Sequence, residues 1–193
     1  MKLVVPPSTH KIYGPGRRCT TAAAGDIVLV RHSGLVARVI RFFERLRRPA
    51  RQRMGWRQWW RYCWTNHAAV VLSGGPSAVV AQATARGIVV SPLSAFTGTT
   101  YAVVKAQCVD EQRTSAVAFA RAAVGSGYGW AQIPADAFNA LTGLELSLGV
   151  GDRMVCSTAA ARAAERMGLI PDRPPDAVTP AHLAWYFGVQ AGS

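Results

Sequence analysis

Two residues far apart in the chain have the types and settings that nucleophilic catalysis needs. Cys156 opens a segment predicted to be helical, 157–167, so its thiol would face unpaired backbone N–H groups at the positive end of the helix dipole. That setting lowers the pKa of a thiol, and the same N–H groups can hold an oxyanion. His67 directly precedes an apolar run, 68–72. Imidazole is the natural base for a thiol at neutral pH.

Each of these residues also has an ordinary structural explanation. A cysteine at the start of a helix is commonly a small buried apolar residue, and a histidine at the start of a strand is commonly a polar strand-edge residue. Catalysis needs a third group that orients the imidazole, and Gln82 lies on the strand predicted to face His67. His32 ends the first predicted strand and can line the same cleft.

Apolar runs and turn signals predict the elements that position these residues. Strands are predicted at 27–30, 68–72, 78–83, 88–90 and 101–104, and the turn at 73–76 joins the second and third of them into a hairpin. Helices are predicted at 35–48, at 114–124, at 156–167 and from Thr179-Pro180 onward. Strands fill the first half and helices most of the second, which favours an α+β domain with an antiparallel sheet packed against helices.

The order of several short motifs carries more information than any one of them. The motifs are Gly25-Asp26-Ile27-Val28, Asn66-His67-Ala68-Ala69-Val70-Val71, Val80-Ala81-Gln82-Ala83, Gly87-Ile88-Val89-Val90-Ser91-Pro92-Leu93, Gly127-Tyr128-Gly129-Trp130 and Val155-Cys156-Ser157-Thr158. Over roughly residues 25–187 this order resembles the NlpC-type cysteine peptidases in their circularly permuted form. That branch of the papain-like superfamily includes lecithin:retinol acyltransferase-like enzymes. The histidine motif precedes the cysteine motif here, which is the permuted order.

The resemblance implies one permuted papain-like hydrolase domain over residues 1–193, with Cys156 as nucleophile, His67 as base and Gln82 as the orienting group. It implies that Tyr128 lies near the oxyanion and that Trp130 lines the substrate side. Relatives often carry His or Glu at the third position, whereas Gln82 supplies no negative charge to an imidazolium.

The implied activity is hydrolysis of an amide bond in bacterial cell-wall peptide, without a metal ion or other cofactor. Such domains occur in phage tails and lysis systems, so a virion-associated enzyme with phage tail proteins as partners is an expectation. Two alternatives stay open. One is a thioesterase or acyltransferase of the same fold that acts on lipids. The other is a structural or assembly module of a phage tail with a vestigial site.

The charge of the chain is concentrated in one block. The chain has 22 Lys or Arg against 10 Asp or Glu, a net charge of +12. Nine arginines lie between Arg38 and Trp64 with a single acid, Glu44, and this block resembles an insertion. Its candidate docking residues for an anionic partner are Arg53, Trp56, Arg57, Trp59, Trp60 and Arg61.

This arginine–tryptophan block has three interpretations. It is a solvated basic face whose tryptophans pack onto the domain, or a docking surface for anionic wall polymer, lipid headgroups or a protein. The third interpretation is nucleic-acid binding, in which the arginines contact phosphates and the tryptophans stack on bases. No recognisable nucleic-acid fold motif supports that last interpretation.

Composition and targeting signals bound the remaining classes. Half of the residues are apolar and 17% are charged, which excludes a disordered basic tail. Four scattered cysteines without a C-x-x-C pair predict neither structural zinc nor a redox motif, and they favour a reducing compartment.

The first residues predict where the chain is made. Met1 to Val5 run into Pro6-Pro7 without an apolar signal region, and residues 1–24 resemble a mostly polar approach segment. No stretch approaches the roughly 18 apolar residues of a membrane span. We therefore expect synthesis in the cytoplasm without a signal peptide, followed by delivery to a virion or the cell wall, with membrane-surface contact as a further expectation.

Overall fold

A computed structural model describes residues 8–46, 55–84, 86–127, 156–169 and 174–191. Its strands are β1 Ser8–Tyr13, β2 Ile27–Arg31, β3 His67–Ser73, β4 Val79–Thr84, β5 Gly87–Pro92 and β6 Thr100–Ala106. Its helices are α1 Leu35–Leu46, α2 Trp56–Trp60, α3 Asp110–Ala122, α4 Cys156–Arg166 and α5 Pro180–Tyr186, with short 3₁₀ turns at Leu93–Phe96 and Pro175–Ala177. The predicted α+β class is confirmed.

The six strands form one sheet in the order β1-β6-β2-β3-β4-β5, and all neighbours are antiparallel. All five predicted strands are present, and β3 and β4 form the predicted hairpin. The last helix begins as predicted, with the Thr179 side chain accepting a hydrogen bond from the backbone N–H of His182. The helix predicted over 35–48 is described as far as Leu46. Its last two predicted residues lie outside the described residues.

Two sequence predictions about element bounds need correction. The helix predicted from Thr114 begins at Asp110, because two acidic residues occupy its first turn, where they favour the positive end of the helix dipole. Residues 1–24 are not only an approach segment, since β1 forms an edge strand on β6. Tyr13 is buried and stacks on Tyr101 with ring centroids 5.1 Å apart. His10 and Ile12 on one face of β1 are half-buried, whereas Thr9 and Lys11 on the other face are exposed. One-sided burial of this kind suits an edge strand and leaves a weak apolar signal in the sequence.

The central strands of the sheet are buried on both faces. One face, which we call the helix face, packs Ala68, Val70 and Ala81 against α3 and α4. The opposite face, which we call the loop face, packs Val30, Ala69, Val71 and Val80 with the turn at Leu93–Phe96. Successive side chains of a strand point to opposite faces, so a residue's parity along β3 decides which core it joins.

Alanines bring α4 close to the sheet. Ala160, Ala161, Ala163 and Ala164 are all buried, and α4 packs on β3, on α3 and on the turn Pro175–Ala177. The cavity left at this contact has a volume of about 10 Å³, about the size of one water. Small side chains are therefore required along α4. The close packing of this helix on the sheet sets the position of Cys156 at its start. No helix within the described residues is both long and apolar enough to cross a bilayer.

We predict that Ala160→Leu destabilises the protein by about 1–3 kcal/mol, because the added side chain must enter a filled helix–sheet contact. Ala118→Leu on the exposed side of α3 is the matched control and leaves the stability within about 0.5 kcal/mol of wild type. Urea unfolding followed by circular dichroism measures both. Equal stability of the two variants would contradict the packing described for α4.

Candidate functional site

Strand pairing brings His67 and Gln82 together, as predicted. His67 begins β3 and Gln82 lies in β4, and both side chains lie on the loop face. His67 Nε2 and Gln82 Oε1 are 2.9 Å apart, and Gln82 Nε2 donates to Ser91 Oγ at 2.9 Å. An amide oxygen only accepts, so His67 Nε2 carries the proton. His67 Nδ1 therefore keeps the lone pair that a general base requires.

Ser91 is a site residue that the sequence analysis missed. Its hydroxyl holds the Gln82 amide in the orientation that presents Oε1 to the histidine. The signal was weak, because Ser91 lies in an otherwise apolar strand next to Pro92 and only cross-strand register brings it near Gln82. The pattern of one strand does not reveal its diagonal neighbours on the next.

Burial keeps the His67 imidazole neutral. Its side chain is 8% exposed and packs against Phe96 and against His32, whose ring centroid lies 5.2 Å away. Burial lowers the pKa of His67 to about 4, the neighbouring His32 adds to the shift, and the Gln82 hydrogen bond opposes it. Burial also lowers the pKa of His32. Both rings are therefore neutral at pH 7, and His67 is able to accept a proton there.

Asn66 fixes the junction from which the site is built. Its Oδ1 accepts from the backbone N–H of His32 at 2.9 Å, and its Nδ2 donates to the carbonyls of His32 at 3.0 Å and Ala37 at 3.2 Å. The side chain is 3% exposed, so these bonds satisfy a buried amide. Asn66 directly precedes His67, and its hydrogen bonds hold the end of β2 and the first turn of α1 at this junction.

Cys156 lies on the other face of β3 from His67 and Gln82. It is buried at the start of α4, and with Ala68 and Ala83 it lines the small cavity on the helix face. His67 joins the loop face because side chains alternate along the strand. The structure therefore joins His67 to Gln82, and it positions Cys156 beside Ala68, one residue along from His67. Tyr128 and Trp130, the predicted oxyanion and substrate residues, lie outside the described residues.

The arginine–tryptophan block divides between core and surface. Trp56 is 43% exposed and Trp60 is 51% exposed, and Arg57 and Arg61 are exposed as well. Trp59 is fully buried, so its prediction as a docking residue is wrong.

The reason is helical spacing. Trp59 and Cys63 pack together against Ala181, and Trp59 Nε1 donates to the carbonyl of Glu44 at 2.8 Å. Residues four apart share one side of a helical turn, and here that side faces α5. Arg53 lies outside the described residues.

No family model matches the chain, and a search of curated proteins finds no match. Among the described residues, no group of three or more His, Cys, Asp or Glu side chains is arranged to hold a metal ion. A functional assignment for this site therefore depends on the geometry of His67, Gln82 and Cys156.

We predict that the protein loses stability as the pH falls from about 6.5 toward about 4, because the unfolded chain protonates His67 in that window and the folded chain does not. Below the folded pKa the loss reaches about 3 kcal/mol for this residue. Urea unfolding across this pH range measures the slope, and His67→Asn reduces it.

His32 contributes with the same sign, whereas the pKa of Asp26 is raised by burial and contributes with the opposite sign. The comparison between variants is therefore the informative quantity. An unchanged slope in His67→Asn would show that His67 titrates normally in the folded protein.

Proposed function

We propose that the chain is a cysteine hydrolase with a circularly permuted, NlpC-type papain-like fold, and that it cleaves an amide bond in bacterial cell-wall peptide. The observation that carries the proposal is the 2.9 Å hydrogen bond between His67 Nε2 and Gln82 Oε1, which leaves Nδ1 as a base. Cys156 supports it, because it opens α4 and α4 packs on the strand that His67 begins. The order of the sequence motifs supports it independently.

The proposed reaction has two halves. His67 Nδ1 takes the proton of Cys156 Sγ, and the thiolate attacks the amide carbonyl carbon while backbone N–H groups at the start of α4 hold the oxyanion. The carbon–nitrogen bond breaks, the amine leaves with the proton from His67, and a thioester remains on Cys156. Water then gives a proton to His67 and attacks the thioester, which releases the acid and returns the thiol. Tyr128 is assigned to the oxyanion and Trp130 to the substrate side.

Two features of the site set the rate that this proposal implies. The proposal requires the thiol and Nδ1 to come together at the start of β3, although Cys156 packs on the helix face and His67 on the loop face. The imidazolium also forms in a buried place, which disfavours the charged form, and the Gln82 hydrogen bond offsets only part of this effect. We therefore expect a slow enzyme. As the pH falls, its hydrolysis rate should decline only below the usual titration range of histidine.

The net charge of +12 is compatible with an anionic wall polymer as the surroundings of the substrate. Association with a virion, and with phage tail proteins, is part of the same proposal. It implies that the chain is found in particles or at the wall of infected cells.

We predict that Cys156 reacts with iodoacetamide at neutral pH faster than Cys19, Cys63 or Cys108 and that His67→Ala removes this advantage. The physical reason is thiolate formation aided by the base and by the helix N-terminus. Cys63 is a buried thiol for comparison, and its burial raises its pKa, which slows alkylation. Cys108 is a more accessible thiol for comparison. Peptide mapping by mass spectrometry measures each rate.

The Gln82 variants sharpen this test. Gln82→Glu places a carboxylate on His67 Nε2 and stabilises the imidazolium, so Cys156 alkylation becomes faster than in wild type. Gln82→Leu removes the hydrogen bond and slows it. If Cys156 reacts no faster than Cys108, and neither variant changes its rate, the chain is not a cysteine hydrolase and the vestigial structural module is favoured.

A second candidate function is favoured by one observation: apolar residues of α1 are exposed where that helix is tied to Asn66, next to the proposed base. An acyl-lipid thioesterase or acyltransferase of the same fold would use such a face to approach its substrate. The chemistry at Cys156 is the same, and the bond attacked is a thioester or ester.

We predict that the wild-type chain releases new amino groups from purified cell-wall peptides, and that Cys156→Ser reduces the rate to background because the nucleophile is lost. Mass spectrometry of the released fragments identifies the bond. Release of free fatty acid from acyl-lipid, with wall peptides left intact, would replace the amide proposal with the lipid one.

A further inference from the structure

Helix α1 is oriented opposite to an ordinary surface helix. Several of its large exposed residues are apolar, with exposed fractions of 77% for Leu35, 59% for Val36 and 59% for Phe42. Its buried residue is Glu44, at 5%. An amphipathic helix normally directs its apolar stripe toward the core and its charges toward water. The reversal means that the apolar stripe of α1 is not used to attach the helix to the domain.

Polar contacts hold α1 in this orientation. Asn66 Nδ2 donates to the carbonyl of Ala37 at 3.2 Å, and Arg41 Nη1 donates to the carbonyl of His32 at 2.6 Å. At the other end of the helix, Trp59 Nε1 donates to the carbonyl of Glu44 at 2.8 Å, and the Trp59 side chain is fully buried. The helix is thus fixed at both ends while its apolar side faces outward.

Helix α2 extends the same surface. Trp60 Nε1 donates to the carbonyl of Arg45 at 3.3 Å, and the Arg45 guanidinium lies 5.9 Å from the centre of the Trp60 ring. We call the combined patch the apolar–arginine surface. It consists of the exposed apolar residues Leu35, Val36, Val39, Phe42, Leu46, Trp56 and Trp60 with the exposed arginines Arg38, Arg45, Arg57 and Arg61.

In the segment that carries this surface, the exposed charges among the described residues have one sign. Between Arg31 and Trp64 the sequence contains one acidic residue, Glu44, and that residue is buried on the opposite side of α1. The exposed charges beside the apolar stripe are therefore arginines. A partner must offer an apolar phase for side chains such as Phe42 and anionic groups for the arginines beside them.

We propose that the apolar–arginine surface docks on a bilayer that contains anionic lipids. Such a bilayer offers both properties at once, since acyl chains accept the apolar stripe and headgroup phosphates accept the arginines. A polysaccharide or nucleic acid offers anions without an apolar phase that admits aliphatic side chains. A second copy would set arginines against arginines. Bilayer docking does not depend on the proposed hydrolase activity.

Docking would also set where the candidate site lies. Asn66 bonds the first turn of α1 and directly precedes His67. The surface and the site therefore share one rigid junction, and docking holds His67 near the plane of the headgroups.

Co-sedimentation of the full chain with vesicles tests the proposal, with phosphatidylcholine vesicles compared with vesicles that also contain phosphatidylglycerol. The expected result is binding to the mixed vesicles that weakens as salt is added. Phe42→Ser and Arg45→Glu each weaken it about tenfold or more, because one removes buried apolar area and the other reverses a charge at the lipid surface.

Matched controls separate this surface from general effects of polarity and charge. Val90→Ser removes an apolar side chain that is 51% exposed on β5, and Arg86→Glu reverses an exposed charge near the β4–β5 turn. Both controls bind the mixed vesicles like wild type, and circular dichroism checks that all four variants fold.

Other outcomes overturn the proposal. Equal losses in Phe42→Ser and Val90→Ser would indicate nonspecific adsorption, and equal binding to both kinds of vesicle would remove the role of the arginines. Self-association of the wild type that Phe42→Ser abolishes, without vesicle binding, would assign the surface to a second copy. Cys156→Ser is expected to bind vesicles like wild type, so this result is separate from the outcome for the hydrolase.

Discussion

The pairing of β2 with β3 is the constraint on which the site depends. The register aligns Val30 with His67, and the carbonyl of Val30 also accepts from the backbone N–H of Asn66 at 3.0 Å and from Thr65 Oγ1 at 2.9 Å. Three consecutive residues of the chain are thus fixed against the end of β2. This arrangement determines where β3 begins, where α1 leaves the sheet and which face receives the His67 imidazole.

The same constraint accounts for the electrostatics of the site. Both faces of the central strands are buried, so a histidine at the start of β3 enters an apolar core, and its neutral form is favoured. Gln82 accepts a hydrogen bond from His67 Nε2, and Ser91 accepts one from Gln82, so the imidazole is oriented without added charge. The result is an oriented and weakly basic imidazole, which differs from an arrangement with a carboxylate in the third position. A proton held there is costly, so the reaction proposed for Cys156 is expected to be slow.

At the junction of β2, β3 and α1, polar side chains are buried and apolar side chains of α1 are exposed. Polar groups such as Asn66, His67 and Glu44 lie inside, whereas leucine, valine and phenylalanine of α1 lie outside. Asn66 fixes backbone positions of β2 and α1 through specific hydrogen bonds, which apolar side chains are unable to do. The apolar residues outside contribute nothing to attaching α1 to the domain. Their exposure beside arginines is the physical basis for assigning α1 and α2 to a surface partner.

The sequence by itself determined the α+β class, the five strands β2 to β6 and the residue types at the site. Periodicity and turn residues are local signals, so strands such as β3 and the N-cap at Thr179 were predictable. Only the tertiary structure decided that β1 pairs at the sheet edge, that Ser91 holds Gln82, that Trp59 is core and that α1 faces outward. It also decided that Cys156 and His67 lie on opposite faces of β3. These features depend on cross-strand register and on the orientation of whole helices, which arise from contacts between residues distant in sequence.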